Sequence, residues 1–316
     1  MKKLHLLCLI ALLPLLLAAC APQTAAPTAT PAPTATAEPI TVQDDLGRTV
    51  TLPSAAQRVI SLAASNTEIL YAVGAGAQVV GRDAYSDYPA EAQSAENIGD
   101  GISGFNTELI VSLQPDLVLA AEIIAPEQVK ALEDLGLNVY WLGNPKTLEE
   151  MYEKLRLVAR LTGHSDEAEA LIQSLQARVA AVDEKIKNAA SQPVVFYELD
   201  ATDPSAPYTS GPGTFIDLLI TRAGGKNLGS ELQGQWAQIS LEALIAADPQ
   251  VILLGDAVWG NITPESVAAR AGWETLTAVK EGRVYPFDDN LVSRPGPRLV
   301  DGLEQLAKLL HPELFE

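Results

Sequence analysis

The chain has 316 residues, of which 47% are hydrophobic and 5% aromatic, and its formal net charge is −19 at pH 7. That length and apolar share suffice for two α/β lobes. The acidity excludes a nucleic-acid binder, which must neutralise phosphates, and disfavours adsorption to anionic lipid headgroups.

Met1-Lys2-Lys3 precedes an apolar run over residues 4–17, broken by His5 and Pro14, and then Leu17-Ala18-Ala19-Cys20. A positive start, a short apolar core and small residues at the cut predict a secretory signal over residues 1–19; the core is short for a membrane span. The four residues up to Cys20 have the form of a bacterial lipobox, so Cys20 is the expected acylation site and first residue of an exported lipoprotein. Loss of the signal leaves a charge of −21 and Cys20 as the one remaining cysteine. An internal disulfide is then impossible, and packing must hold the fold. Residues 20–39 are rich in Ala, Pro and Thr and predict an extended tether without a core.

Residues 40–52 read as an extended pair around Asp45-Leu46-Gly47-Arg48. Strands follow at 58–64, 79–85, 117–121 and 139–142, with helices at 65–73 and 126–135 ending near Gly74 and Gly136. Buried runs alternating with helices indicate parallel βαβ units and a lobe over 40–146. Residues 147–192 are helical with a break at Thr162-Gly163-His164, and the second helix, from Ser165 to about Ala190, is roughly 35 Å long at 1.5 Å per residue. A second lobe over 193–316 has strands at 194–199, 251–255 and 284–287 and helices at 214–223 and 298–310.

An internal repeat supports two lobes. Asn106-Thr107-Glu108-Leu109 leads through a short helix to Pro115-Asp116 and a buried strand; Ser240-Leu241-Glu242-Ala243 leads likewise to Pro249-Gln250. Each has a cap, a first-turn Glu and a Pro turn. The helix macrodipole favours such an acid by about 0.3–1 kcal/mol, so the repeat alone leaves Glu108 and Glu242 open between a stabilising and a docking role.

The motifs occur in a telling order: Ser65-Asn66-Thr67-Glu68, Tyr85-Ser86-Asp87-Tyr88-Pro89, Pro115-Asp116-Leu117-Val118, Pro207-Tyr208-Thr209-Ser210-Gly211, Gly224-Gly225-Lys226-Asn227, Gly282-Arg283-Val284-Tyr285 and Pro297-Arg298. Over residues 40–312 this succession resembles the ABC-importer binding proteins for cobalamin, haem and ferric siderophores. The resemblance implies an α/β fold of two Rossmann-like lobes with central β-sheets, joined by a single long rigid α-helix, and a ligand held between the lobes. It implies a monomer that delivers its ligand to an ABC permease dimer with ATPase subunits, touching the membrane through its lipid anchor alone. Tyr85-Ser86-Asp87-Tyr88-Pro89 and Gln235-Trp236-Ala237-Gln238 are most similar to the cobalamin binders, which implies cleft positions for Tyr85 and Trp236 and a cobalt corrinoid as cargo rather than a resident cofactor. Core packing is the alternative for both rings. Asn290 and Arg294 fall on a further cobalamin-facing loop, but Asn290 replaces an acid, Leu291 and Val292 replace aromatics, and Ile102 falls where another cleft aromatic is expected. Glu108 and Glu242 match the acids that meet permease arginines.

Haem and ferric siderophores remain alternatives. Tyr85, Tyr88 or Tyr208 could ligate haem iron, and Arg82, Arg294 and Arg298 are the few candidates for an anionic siderophore. No catalytic residue is identified: the sequence has neither a nucleophile elbow nor a P-loop. With His164 and His311 the only histidines after the signal, no metal-ligand set is identified either.

Overall fold

A computed structural model describes residues 38–315; the signal, Cys20 and the tether up to residue 37 lie outside the described residues. Two parallel sheets, one in each half of the chain, carry the architecture. In lobe 1 the strand order is Glu96–Asn97, Val79–Arg82, Val59–Ser61, Leu117–Ala121, Val139–Leu142. Lobe 2 orders Lys226–Asn227, Val194–Glu198, Val251–Leu254, Val284–Pro286. The two central strands of Leu117–Ala121 and Val251–Leu254 are buried at every residue, as strands covered on both faces require. In both sheets the chain reverses its direction of winding beside the first strand, between Val59–Ser61 and Leu117–Ala121 and between Val194–Glu198 and Val251–Leu254. Crevices for ligands open at the carboxyl ends of such strand pairs.

The predicted hairpin is present as Ile40–Gln43 and Thr49–Leu52. It lies along the edge strand Val139–Leu142, with the Tyr140 hydroxyl donating to the Gln43 carbonyl at 3.0 Å and the Asp45 amide to the Trp141 carbonyl at 3.3 Å. An otherwise open sheet edge is thereby covered.

Helices Leu148–Thr162 and Ser165–Ile186 join the lobes. Gly163 separates them with φ +85°, a left-handed conformation that other residues adopt at a cost. The bridging helix is 22 residues long, about 33 Å, and ends four residues before the sequence expectation. Its buried residues Ala168, Ile172, Leu175, Val179 and Val182 follow the four-three spacing of an apolar stripe. The stripe packs between Leu148–Thr162 and the last helix, Leu299–Leu310. One apolar cluster therefore runs from Val59 and Leu119 through Met151, Ile172 and Leu175 to Val251 and Leu303. Charges fasten the same joint: Arg178 meets Glu304 at 2.7 Å and Asp301 at 2.5 Å, and Arg222 meets Asp183 at 2.8 Å.

The lobes also touch directly. Glu68, in helix Ala64–Ala72 of lobe 1, is buried. One of its oxygens accepts from Arg298 at 2.5 Å and Arg294 at 3.0 Å, and the other accepts from Arg298 Nε at 2.8 Å. Both arginines come from the segment after the last strand of lobe 2, and their side chains are 15% and 12% exposed. Arg294 also donates to Asp87 at 2.6 Å, and the Arg298 guanidinium lies 4.1 Å from the centre of the Tyr88 ring.

Glu68→Ala leaves two largely buried guanidinium groups short of their shared carboxylate. Removing one partner of such a cluster costs roughly 3–5 kcal/mol, read as a lowered urea midpoint, with Glu68→Gln falling between. A change below about 1 kcal/mol, the range of an exposed pair, would show that water replaces the carboxylate freely.

Candidate functional site

The carboxyl ends of the lobe 1 strands open into a cavity of about 390 Å³. Its walls include Leu62 and Ser65 after the first strand, Tyr85 after the second, and Ile123 and Ile124 after Leu117–Ala121. Asn144 lies beyond Val139–Leu142, and Ser293 and Arg294 of lobe 2 close the far side. The lining is mainly apolar, with few polar groups, as in a small-molecule site.

Tyr85 is 56% exposed on a loop that a buried polar chain holds from beneath. The Thr67 hydroxyl donates to Ser61 Oγ at 2.8 Å and lies 2.7 Å from Ser86 Oγ. Ser86 in turn donates to Asp83 Oδ1, while Asp83 Oδ2 accepts the Tyr85 amide at 3.1 Å. Burial raises the Asp83 pKa above its usual range, against these hydrogen bonds and the nearby Arg294 and Arg82 charges. The loop backbone is thus fixed while the phenol ring faces the opening. A similar device holds Ile102, another wall residue: Asp100 Oδ1 accepts the Ile102 and Ser103 amides at 2.8 and 2.6 Å. Ile102 is 80% and Ile123 76% exposed.

Trp236 does not line this cavity. It is half exposed on the antiparallel pair Tyr208–Ser210 and Trp236–Gln238 of lobe 2, with Tyr208 exposed nearby. The core alternative fails for both Tyr85 and Trp236, since each ring is open to solvent. Asn290 is half-buried, its side chain donates to Asp288 Oδ1 at 3.0 Å, and, like Trp236, it is not among the walls of this cavity. Val292 is fully buried in the core, which explains an aliphatic residue there. Arg294 does reach the cavity, but its guanidinium is committed to Glu68 and Asp87, which fixes it as a neutralised wall. Arg298 is similarly committed to Glu68, and Arg82 donates to the Asp83 carbonyl at 3.0 Å. Ile123 and Asn144 were absent from the sequence expectations; lying just past two correctly placed strands, they could have been found from strand ends alone.

Glu108 and Glu242 lie far from any buried role. Both are exposed, in the first turns of helices Thr107–Ser112 and Leu241–Ala247, and neither forms an ion pair among the described residues. The repeat extends to the backbone: Asn106 and Ser240 accept amides of residues 109 and 243 at 3.0 and 3.3 Å, and Gln114 and Asp248, each before its proline, have φ of 48° and 42°. Among the described residues no group of three or more His, Cys, Asp or Glu is placed to hold a metal ion. His311 is buried against the Gly224 carbonyl at 3.2 Å.

Lobe 2 carries a second buried polar cluster. Arg270 grips Glu198 with two hydrogen bonds, of 2.5 and 2.9 Å. Asp256 is buried beside Glu198; its Oδ2 accepts the Ala201 amide at 3.2 Å, and its Oδ1 has no donor among the described residues. Burial, then the adjacent Glu198 carboxylate, pushes the Asp256 pKa from 3.8 to about 7. A proton on the orphaned oxygen supplies the donor that the site lacks. The folded state therefore holds a proton that the unfolded chain releases. This contribution to stability is full below about pH 4, falls as pH rises toward about 7, and is flat above. Asp256→Asn, with a permanent donor, should flatten that slope and raise the melting temperature at pH 8. An unchanged slope between pH 5 and 8 would place the proton elsewhere.

A family model described as periplasmic binding protein matches residues 59–291. Among curated relatives, the ABC transporter substrate-binding lipoprotein YvrC of Bacillus subtilis is 33% identical, over 88% of this chain and 87% of its own. A cobalamin-binding protein of Halobacterium salinarum is 30% identical, over 86% of this chain and 74% of its own. Among solved structures, the periplasmic haem-binding protein RhuT of Roseiflexus sp. RS-1, in apo form, superposes with a TM-score of 0.73 at 27% identity, over 82% of this chain and all of that one.

Proposed function

The chain belongs to the periplasmic binding protein family, as a solute-binding component of an ABC transporter, and we propose that its solute is cobalamin or a closely related corrinoid. The observation that carries this reading is the pairing of an apolar cavity with neutralised cations. Tyr85, Ile102 and Ile123 offer broad apolar contact on lobe 1, and Trp236 offers an exposed indole on lobe 2. Arg294, the cation among the cavity walls, and its neighbour Arg298 are matched by Glu68 and Asp87. Such a site favours a large ring with apolar faces and uncharged amide edges over a multiply anionic siderophore. The relative named as a cobalamin-binding protein supports the same choice. Haem is the second reading, favoured by the Tyr85 hydroxyl, which has no hydrogen-bond partner among the described residues, and by the likeness to RhuT.

Glu108 and Glu242 then serve the permease. Exposed ion pairs contribute about 0–1 kcal/mol each, so two separated acids orient the complex more than they hold it. Cys20 is the proposed lipid anchor.

Calorimetry on the intact chain with cyanocobalamin, haemin and a ferric siderophore tests the solute. One cyanocobalamin per chain is expected. Tyr85→Ala and Trp236→Ala should each weaken it by about 1–3 kcal/mol, roughly ten- to a hundredfold. Preference for haemin would overturn the corrinoid choice. In cells, Cys20→Ser should leave the membrane fraction. The Glu108→Ala/Glu242→Ala variant should bind ligand as wild type does yet fail in uptake; lost ligand binding with intact docking on the permease would move these acids to the cleft.

A further inference from the structure

The two lobes repeat a second time, just beyond the strand that follows Glu108 or Glu242. In lobe 1, strand Leu117–Ala121 leads to helix Pro126–Asp134 through Ala125-Pro126-Glu127-Gln128-Val129. In lobe 2, Val251–Leu254 leads to Pro264–Ala268 through Thr263-Pro264-Glu265-Ser266-Val267. Each helix has Pro at its start, where a missing amide hydrogen costs nothing. The amides of residues 125 and 263 donate to the side chains of Gln128 at 3.3 Å and Ser266 at 3.0 Å. Val129 and Val267 are both fully buried.

The connections between strand and helix differ. Lobe 1 uses three residues, 122–124, and lobe 2 uses eight, 255–262. Both leave the carboxyl end of the strand beside the first strand of the sheet, where open α/β sheets bind ligands. In lobe 1 this connection supplies Ile123 to the cavity wall. In lobe 2 the added residues fold into the short helix Ala257–Gly260, which presents Val258 at 80% and Trp259 at 62% exposure.

The footing of this helix is firm. A Cβ on Gly255 would fall 2.5 Å from the Tyr197 hydroxyl, and that hydroxyl donates to Asp289 at 2.6 Å. Asp256 is held by the Ala201 amide and the Glu198 neighbourhood described above. The Gly260 amide bonds the Asp256 carbonyl at 2.8 Å, the Ile262 amide bonds the Ala257 carbonyl at 3.1 Å, and Asn261 ends the helix in the left-handed region. A buried, hydrogen-bonded base thus holds two large apolar side chains out in water. Exposed apolar groups on a fixed base mark a contact surface, and an indole there contributes large area at small entropic cost.

We propose that the eight-residue connection 255–262 is the lobe 2 wall of the ligand cleft, and that Trp259 and Val258 select the ligand by packing on the apolar face of a flat macrocyclic metal chelate. This rests on the corrinoid-or-haem reading above. It makes the wall the counterpart of Ile123, enlarged by insertion, and gives each lobe an apolar surface at its own crevice.

The test is calorimetry of the intact chain with cyanocobalamin and, separately, haemin, for wild type, Trp259→Ala and Trp259→Phe. For whichever chelate wild type binds, Trp259→Ala should weaken affinity about tenfold or more, and Trp259→Phe less than about threefold. Melting temperatures should match wild type, because the ring is largely exposed. Equal affinity of Trp259→Ala and wild type overturns this inference and leaves the ligand reading intact. If wild type binds neither chelate, both fall.

Discussion

The buried carboxylate of Glu68, shared between Arg294 and Arg298 of the opposite lobe, is the constraint on which the rest of the structure depends. Taking one anion and two cations out of water is costly unless every charge finds a partner. Here Glu68 satisfies both arginines, Asp87 supplies the second acid for Arg294, and Tyr88 stacks on Arg298. The ions can all be satisfied at one relative placement of the lobes. Together with the bridging helix and an apolar cluster that passes without a break from one sheet to the other, this leaves little room for a hinge.

The same cluster shapes ligand chemistry. An arginine at a cavity wall ordinarily invites an anion, but Arg294 is already neutralised where it meets the opening. The ion pair that locks the lobes therefore also removes the positive field from the cleft. Four side chains, Glu68, Asp87, Arg294 and Arg298, thus both tie the lobes together and balance the charge at the opening.

The lobes behave as two versions of one unit. Strand order about the first strand, the capped helix with its exposed acid, the left-handed residue before proline and the proline-started helix recur in both. The external face of the repeat, with Glu108 and Glu242, stays alike, whereas the loops at the strand carboxyl ends diverge. On the proposed docking of Glu108 and Glu242, a two-point contact with a two-fold partner would reward equivalence, and a ligand without such symmetry would reward difference.

The sequence by itself determined the elements and their class. Continuous apolar runs bounded by Gly and Pro located Leu117–Ala121 and Val139–Leu142 to the residue, and charge periodicity with Gly163 separated the two joining helices. These features are local: a strand buried on both faces or a capped helix is written in neighbouring residues. The repeat likewise exposed Glu108 and Glu242, because a cap, an acid and a proline are read within one segment. Tertiary structure alone decided the roles of residues whose partners are distant. Arg294 is 226 residues from Glu68, and nothing beside it in the chain distinguishes a ligand-facing cation from a neutralised strut. Asn290 bonded to Asp288, Val292 entered the core, and Trp236 stood on an antiparallel pair whose strands are only three residues long. Burial and charge pairing are properties of the assembled volume, so they become visible only when segments far apart in sequence occupy the same few ångströms.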